Sequence, residues 1–176
     1  MNSKSKEIVL GGGCFWCTQA AFDLFKGKWV IRNTPGYAGG HVKNPTYEEV
    51  CGGETGHAEV VKVEYDQNEI SLGKILEIFF AMHDPTSVNR QGEDVGAQYR
   101  SAIFYSDESD RPIIETAIKK YQGGDRHVVT EVKELQEFYP AEDHHKDYYL
   151  NNKLQPYCVL VISPKIRKIK KEFGIK

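Results

Sequence analysis

Two cysteines three residues apart, Cys14 and Cys17, follow a run of glycines in Gly11-Gly12-Gly13-Cys14-Phe15-Trp16-Cys17. Three glycines let the backbone bend tightly and let another group come close to it. If a helix starts at Cys14, the free N–H groups of its first turn favour negative charge there. The expectation is a Cys14 thiol with a depressed pKa and a thiolate fraction suited to nucleophilic or redox chemistry. Cys17 falls about one helical turn on, close enough for the two sulfurs to meet. Two plainer readings compete. A structural zinc site needs about four ligands, yet Cys51 and Cys158 are isolated and His144-His145 are adjacent rather than spaced for a shared face. Buried, inert cysteines are the stronger alternative. The triple glycine argues against it.

The second candidate is an acid. Glu59 alternates onto the same strand face as Val61 and Val63. A carboxylate on an apolar face is costly unless it is paired or kept protonated, and a protonated one can donate to a weakly basic oxygen. A solvated edge strand explains the pattern equally well. Tyr47 and Tyr99 follow loop segments able to face a site, although tyrosines are commonly packing residues. Asp94, in Gly92-Glu93-Asp94-Val95-Gly96, reads first as a turn residue. Phe15 and Trp16 are either core residues or the wall of an apolar pocket.

The elements that must position these groups are readable in outline. Glu7 to Leu10 is a short strand running into a Gly11–Gly13 loop, and a helix carries Phe15, Ala20, Ala21, Leu24 and Phe25. Trp29 to Arg32 is a strand ending in the loop Pro35-Gly36-Tyr37-Ala38-Gly39-Gly40. Ala58 to Tyr65 alternates with period two. Ser71 starts a helix that stops at His83-Asp84-Pro85. Strands are expected over Gln98–Tyr105, Val128–Val132 and Val159–Ile162. Helices are expected from Asp107 to Tyr121, over Glu142–Leu150 and within Pro164–Phe173, where Ile162, Ile166, Ile169 and Phe173 keep helical spacing. The interleaving predicts an α+β two-layer sandwich: a ferredoxin-like core, a mainly antiparallel sheet and long Gly-rich loops, in a single domain over 1–176.

Composition narrows the function classes. The 176 residues carry 23 Lys and Arg against 25 Asp and Glu, a net charge of -2, so no global field attracts nucleic acid. No apolar run reaches the roughly 18 residues that span a bilayer. The first residues have no secretory h-region, and four cysteines are too few for a disulfide scaffold. A cytoplasmic, monomeric protein without membrane or nucleic-acid partners is expected.

Read in order, the segments resemble the A-type peptide methionine sulfoxide reductase family. The matching stretches are Gly12-Gly13-Cys14-Phe15-Trp16, Gly36-Tyr37-Ala38-Gly39-Gly40, Asn44-Pro45-Thr46-Tyr47-Glu48-Glu49-Val50-Cys51, Thr55-Gly56-His57-Ala58-Glu59 and His83-Asp84-Pro85. Arg90-Gln91-Gly92 with Asp94 and Gly96, Gln98-Tyr99-Arg100-Ser101, and Ala141-Glu142-Asp143 with His145 complete the set. They run in family order over about nine-tenths of the chain, and the ordered set is far more specific than any one motif. The resemblance implies that Cys14 is the nucleophile and that Phe15 and Trp16 receive the substrate methyl. It makes Glu59 the acid that protonates the sulfoxide oxygen, Tyr47 and Tyr99 the hydroxyls that bind that oxygen, and Asp94 a supporting carboxylate. It also implies action on the S-epimer, free or in proteins, without a cofactor or metal. A sulfenic acid on Cys14 would condense to a disulfide that thioredoxin or a similar dithiol reduces. Cys17 is the favoured resolving thiol and Cys158 the second choice, with Cys51 packed in the core. His144 stands where Tyr is common in the family and Ala97 where a hydroxyl residue is common; neither touches an expected role. Two other function classes fit parts of the chain. The Cys-x-x-Cys pair suits a thioredoxin-like disulfide oxidoreductase. A zinc-stabilised module binding through the basic run Pro164–Lys171 is non-enzymatic. Neither explains Glu59.

Overall fold

A computed structural model describes residues 4–176; residues 1–3, part of the stretch read as lacking a secretory signal, lie outside the described residues. β1 (Ser5–Gly12) leads through α1 (Phe15–Asp23) to β2 (Val30–Ala38). A short α2 (Tyr47–Cys51) precedes β3 (Ala58–Asp66) and α3 (Leu72–Met82). The two-residue strands β4 (Arg90–Gln91) and β5 (Asp94–Val95) form a hairpin before β6 (Ser101–Tyr105) and α4 (Arg111–Tyr121). β7 (Glu131–Glu134), β8 (Phe138–Pro140), α5 (Tyr148–Asn151) and α6 (Ser163–Glu172) follow.

Six strands form one sheet in the order β7-β6-β1-β3-β2-β8. It is mixed: β6 and β7 run parallel, and the other neighbours are antiparallel. The β6-to-β7 connection runs through α4, a crossover of the kind that joins parallel strands. One sheet face packs on α1, α3 and α6 through Ile8, Leu10, Val61, Val63, Phe22, Ile75, Phe79 and Ile169. The other face carries a smaller cluster of Val9, Ala38, Val60, Ala102 and Phe104. The alternation in β3 therefore sorts its side chains between two faces, and Glu59 falls on the helix-covered one with Val61 and Val63.

Several expected boundaries move. Gly11 and Gly12 belong to β1 and not to a loop; a Cβ on Gly11 would sit 3.3 Å from the Arg100 and Glu59 carbonyls. Only Gly13, at φ +95°, makes the bend. β2 continues through Pro35 to Ala38, where a loop was expected, because both of its edges find partners in β3 and β8. The Glu142–Leu150 helix is broken: a 3-10 turn at Asp143–His145 and α5 are separated by Asp147 at φ +52°. Cys158 to Ile162 is a π-helical turn running into α6, not the start of a strand. It buries Cys158 and Ile162 and leaves Val159 and Leu160 outward.

Candidate active site

Cys14 is the N-cap residue of α1, and its carbonyl accepts from the Cys17 and Thr18 N–H groups at 3.1 and 3.4 Å. The bend at Gly13 aims it. A Cβ at Gly13 would come within 2.7 Å of Gln91, whose side chain grips the Asp84 backbone by two hydrogen bonds. The hairpin that carries Asp94 is thereby held under the cysteine loop. Cys14 is 8% exposed and Cys17 2%.

Glu59 is 1% exposed. Its Oε2 accepts the Phe15 backbone N–H at 3.0 Å, and its Oε1 is buried with no partner. Burial, with Asp94 and Cys17 nearby, raises its pKa from 4.5 to about 8, against the pull of the Phe15 N–H. At neutral pH Glu59 therefore holds its proton and has a free oxygen to donate from.

Tyr47 is the first residue of α2, which a capping box begins: Thr46 Oγ1 accepts the Glu49 N–H while the Glu49 carboxylate accepts the Thr46 N–H. The Thr46-Tyr47-Glu48-Glu49 pattern carries that signal in the sequence. Tyr99 ends a 3-10 turn, Ala97–Tyr99, which Arg100 pins by donating to the Ala97 and Gly56 carbonyls. Burial first, then Glu59, pushes the pKa of both phenols up, so they stay donors. Asp94 accepts the Tyr157 hydroxyl at 2.6 Å. Tyr99 lies within electrostatic reach of Glu59, Cys14 and Asp94, and Tyr47 within reach of Glu59 and Tyr99.

Phe15 is fully buried beside Tyr37, Tyr47 and His145, with ring centroids 5.3–6.2 Å away. Trp16 is partly buried. Tyr148 lies flat on its face at 3.7 Å, Tyr157 meets it edge-on, and its Nε1–H donates to His145 Nδ1 at 3.2 Å. His145 in turn lies 3.5 Å from Glu142, which accepts the Tyr37 hydroxyl.

The thiols depart from expectation. Burial, a hydrogen bond to Cys17 and the nearness of Glu59 push Cys14 up, whereas Cys17 falls to about 7 through its bond from Cys14, Lys165 and Tyr157. The Trp16 N–H favours a Cys14 thiolate but is outweighed by desolvation. Within the pair, the bond between the two thiols favours charge on Cys17 over Cys14. Cys158 is fully buried, and burial with the nearby Cys17 raises its pKa. Cys51 is not in the core. It ends α2 on the exposed side, next to the inward Val50, with its sulfur at the Tyr47 hydroxyl. All four cysteines are free.

Sequence reasoning missed Tyr37, Tyr148 and Tyr157 as members of the site. Tyr37 faces Glu59 directly in the β2–β3 register, but that register requires β2 to extend beyond Arg32. Glu142, His144 and His145 each bring one donor atom within 4.8 Å of the others. Two of them are already engaged, Glu142 by Tyr37 and His145 by Trp16. The four cysteines join no such group among the described residues.

The family model for peptide methionine sulfoxide reductase matches residues 6–176. A relative from Saccharolobus solfataricus, peptide methionine sulfoxide reductase MsrA, is 56% identical over 96% of this chain and 94% of its own. Among solved structures, reduced Mxr1 from Saccharomyces cerevisiae is similar with a TM-score of 0.83 at 32% identity, covering 90% of this chain and 91% of that one. Mxr1 in complex with Trx2 superposes with a TM-score of 0.59 at 24% identity, over 84% and 87% of the two chains.

Proposed function

We proceed from the finding that this chain belongs to the peptide methionine sulfoxide reductase family, and we infer that it reduces the S-epimer of methionine sulfoxide, free or in proteins, to methionine. The observation that carries the site assignment is the tie between Phe15 N–H and Glu59: the residue after the nucleophile holds the acid, at 3.0 Å.

In this reading the sulfoxide oxygen lies among Glu59 Oε1, the Tyr47 hydroxyl and the Tyr99 hydroxyl, all three protonated. The electrophilic sulfur faces Cys14, and its methyl rests against Phe15 and Trp16. Sulfoxide oxygen leaves sulfur only when protonated, so the acid and the thiol must act together. Cys14 passes its proton to Cys17 as its sulfur attacks the sulfoxide sulfur, and Glu59 protonates the oxygen. The protonated oxygen then moves to the Cys14 sulfur as the sulfoxide S–O bond and the transient bond between the two sulfurs break. Methionine departs and Cys14 becomes a sulfenic acid. The raised Cys14 thiol suits this timing: it is uncharged until a substrate supplies somewhere for the electrons to go.

Cys17 then closes a disulfide with Cys14, one turn of α1 away, and releases water. A dithiol of the thioredoxin kind reduces it; the association of the yeast neighbour Mxr1 with Trx2 supports that partner. Cys158 is the second choice: it is fully buried in a π-helical turn, whereas Cys17 lies one turn of α1 from Cys14.

One catalytic domain over 1–176 is supported by a main hydrophobic cluster drawn from β1 to α6. A ferredoxin-like core is supported by the inner strand order β6-β1-β3-β2 with α1 and α3 as its crossovers. No helix among the described residues is long and apolar enough to cross a membrane. A cytoplasmic monomer is the assignment proposed; four cysteines in 176 residues are too few for the disulfide scaffold of a secreted protein. The test is separate incubation with the two sulfoxide epimers and a dithiol: methionine from the S-epimer alone supports the reading, and turnover of the R-epimer at the same rate overturns it.

A further inference from the structure

The tyrosine that precedes Cys158 is assigned no contact with the sulfoxide itself, and its hydroxyl lies between two groups of the site. Tyr157 Oη is 3.8 Å from Cys17 Sγ and donates to Asp94 Oδ2 at 2.6 Å. Both distances suit hydrogen bonds, the first to sulfur. Its ring is anchored edge-on against Trp16. We propose that Tyr157 and Asp94 form a proton relay for Cys17, serving the closure of the disulfide and not the reduction of the sulfoxide. Asp94 is thereby given a second task, as the acceptor at the end of the relay.

The need for such a relay follows from the order of events. In the resting pair Cys17 is held as the more acidic thiol chiefly by the bond from Cys14. Once Cys14 has become a sulfenic acid that donor is gone, and Cys17 carries the proton it received. Only a thiolate attacks efficiently. The charged and titratable groups facing Cys17 are Cys14 on its own helix, Lys165 on α6, Tyr157 and Cys158 before it, Asp94 on β5 and Glu59 on β3. Lys165 favours the thiolate but cannot take a proton while it is an ammonium. Tyr157 can, provided it passes its own to Asp94 in the same event. Burial and the two nearby thiols make a free tyrosinate unfavourable, so the phenol is conserved throughout.

The step balances. The Cys17 sulfur bonds to the Cys14 sulfur and the bond from that sulfur to its hydroxyl oxygen breaks. The Cys17 proton moves to Tyr157 as the Tyr157 proton moves to Asp94. Glu59, reprotonated from solvent after methionine leaves, gives the hydroxyl its second proton, and water departs. Sulfenic sulfur is reduced as the Cys17 thiol is oxidised, so no outside oxidant is needed.

This inference rests on Cys17 as the resolving thiol, so its test must separate the two. The full chain is mixed with one equivalent of methionine sulfoxide without reductant. Methionine, trapped sulfenic acid and mapped disulfides are then followed in wild type, Tyr157→Phe and Asp94→Asn. In Tyr157→Phe, whose ring still packs on Trp16, one methionine per chain is expected. Sulfenic acid should accumulate, and the Cys14–Cys17 disulfide should form about tenfold more slowly, with a rate that climbs more steeply with pH as solvent base replaces the relay. Asp94→Asn should slow the decay of sulfenic acid similarly. Closure at the wild-type rate and pH profile in Tyr157→Phe would overturn the relay alone. A Cys14–Cys158 disulfide in the wild-type chain would overturn the Cys17 assignment, and the relay with it.

Discussion

The backbone N–H of Phe15 donates to the Glu59 carboxyl at 3.0 Å, joining the start of α1 to the middle of β3. A helix that exposes unpaired N–H groups at its first turn needs acceptors there, and β3 supplies one as a buried carboxyl. The same bond ties Glu59 to the residue that follows Cys14. Because only one carboxyl oxygen is used and the other is buried without a partner, the site carries a polar group whose unmet need matches a sulfoxide oxygen.

Replacing Glu59 with Gln keeps the shape and the acceptor for Phe15 N–H but removes the acidic proton. The methionine burst measured by rapid quench should slow by about 10²–10⁴, the usual range for losing a positioned acid. A burst within twofold of wild type would mean that another group protonates the oxygen.

Glu59 also predicts a pH dependence of stability. Its ordinary pKa is 4.5 and the folded chain raises it to about 8. Between those values the unfolded chain has released the proton and the folded chain retains it, so folding takes up a proton. This contribution is fully present below about pH 4.5 and is lost as pH rises through about 8. Urea melts from about pH 5 to pH 8 should show wild type losing stability relative to Glu59→Gln, by at most about 1.4 kcal/mol per pH unit. A constant difference between the two would place the carboxyl in water.

Cys17→Ser should yield a single burst of methionine and no sustained thioredoxin-driven turnover, whereas Cys158→Ser should keep cycling. Cys158 is fully buried, so its serine variant should be destabilised by about 1–3 kcal/mol for the hydroxyl placed in the core. The opposite turnover pattern would transfer the resolving role to Cys158.

Tyr47→Phe and Tyr99→Phe each remove one donor to the sulfoxide oxygen and leave the ring. Each should lower the rate of the burst by about 10²-fold, with little loss of substrate affinity, because the oxygen gains charge only as the bond breaks. A rise in KM with unchanged kcat would make them ground-state binding groups.

Local patterns in the sequence carried the chemistry further than the chain path. Period-two alternation put Glu59 on an apolar strand face, and the structure buries it there. Ser71 and His83 bound α3 where capping residues predict. What was not legible depends on long-range partners. Gly11, Gly12 and Pro35-Gly36 read as loops by residue type, yet neighbouring strands pair with them. The Cys14 thiol lies above its ordinary range, not below it, because a helix start favours a thiolate only weakly against complete desolvation, and burial is not visible in a motif. Cys51 followed its residue type into the expected core, while a five-residue helix turned it to solvent. Tyr157 lies 140 positions from the cysteine it touches, and nothing local announces it.

The most direct test of Cys14 as the oxygen acceptor follows the oxygen itself. Cys17→Ser, which cannot close its disulfide at that position, is given one equivalent of methionine sulfoxide labelled with heavy oxygen, and the cysteine peptides are weighed. The mechanism predicts the heavy atom on Cys14 and unlabelled methionine in equal amount. Methionine formed with the label found only in water or on another residue, and Cys14 left as a thiol, would contradict it.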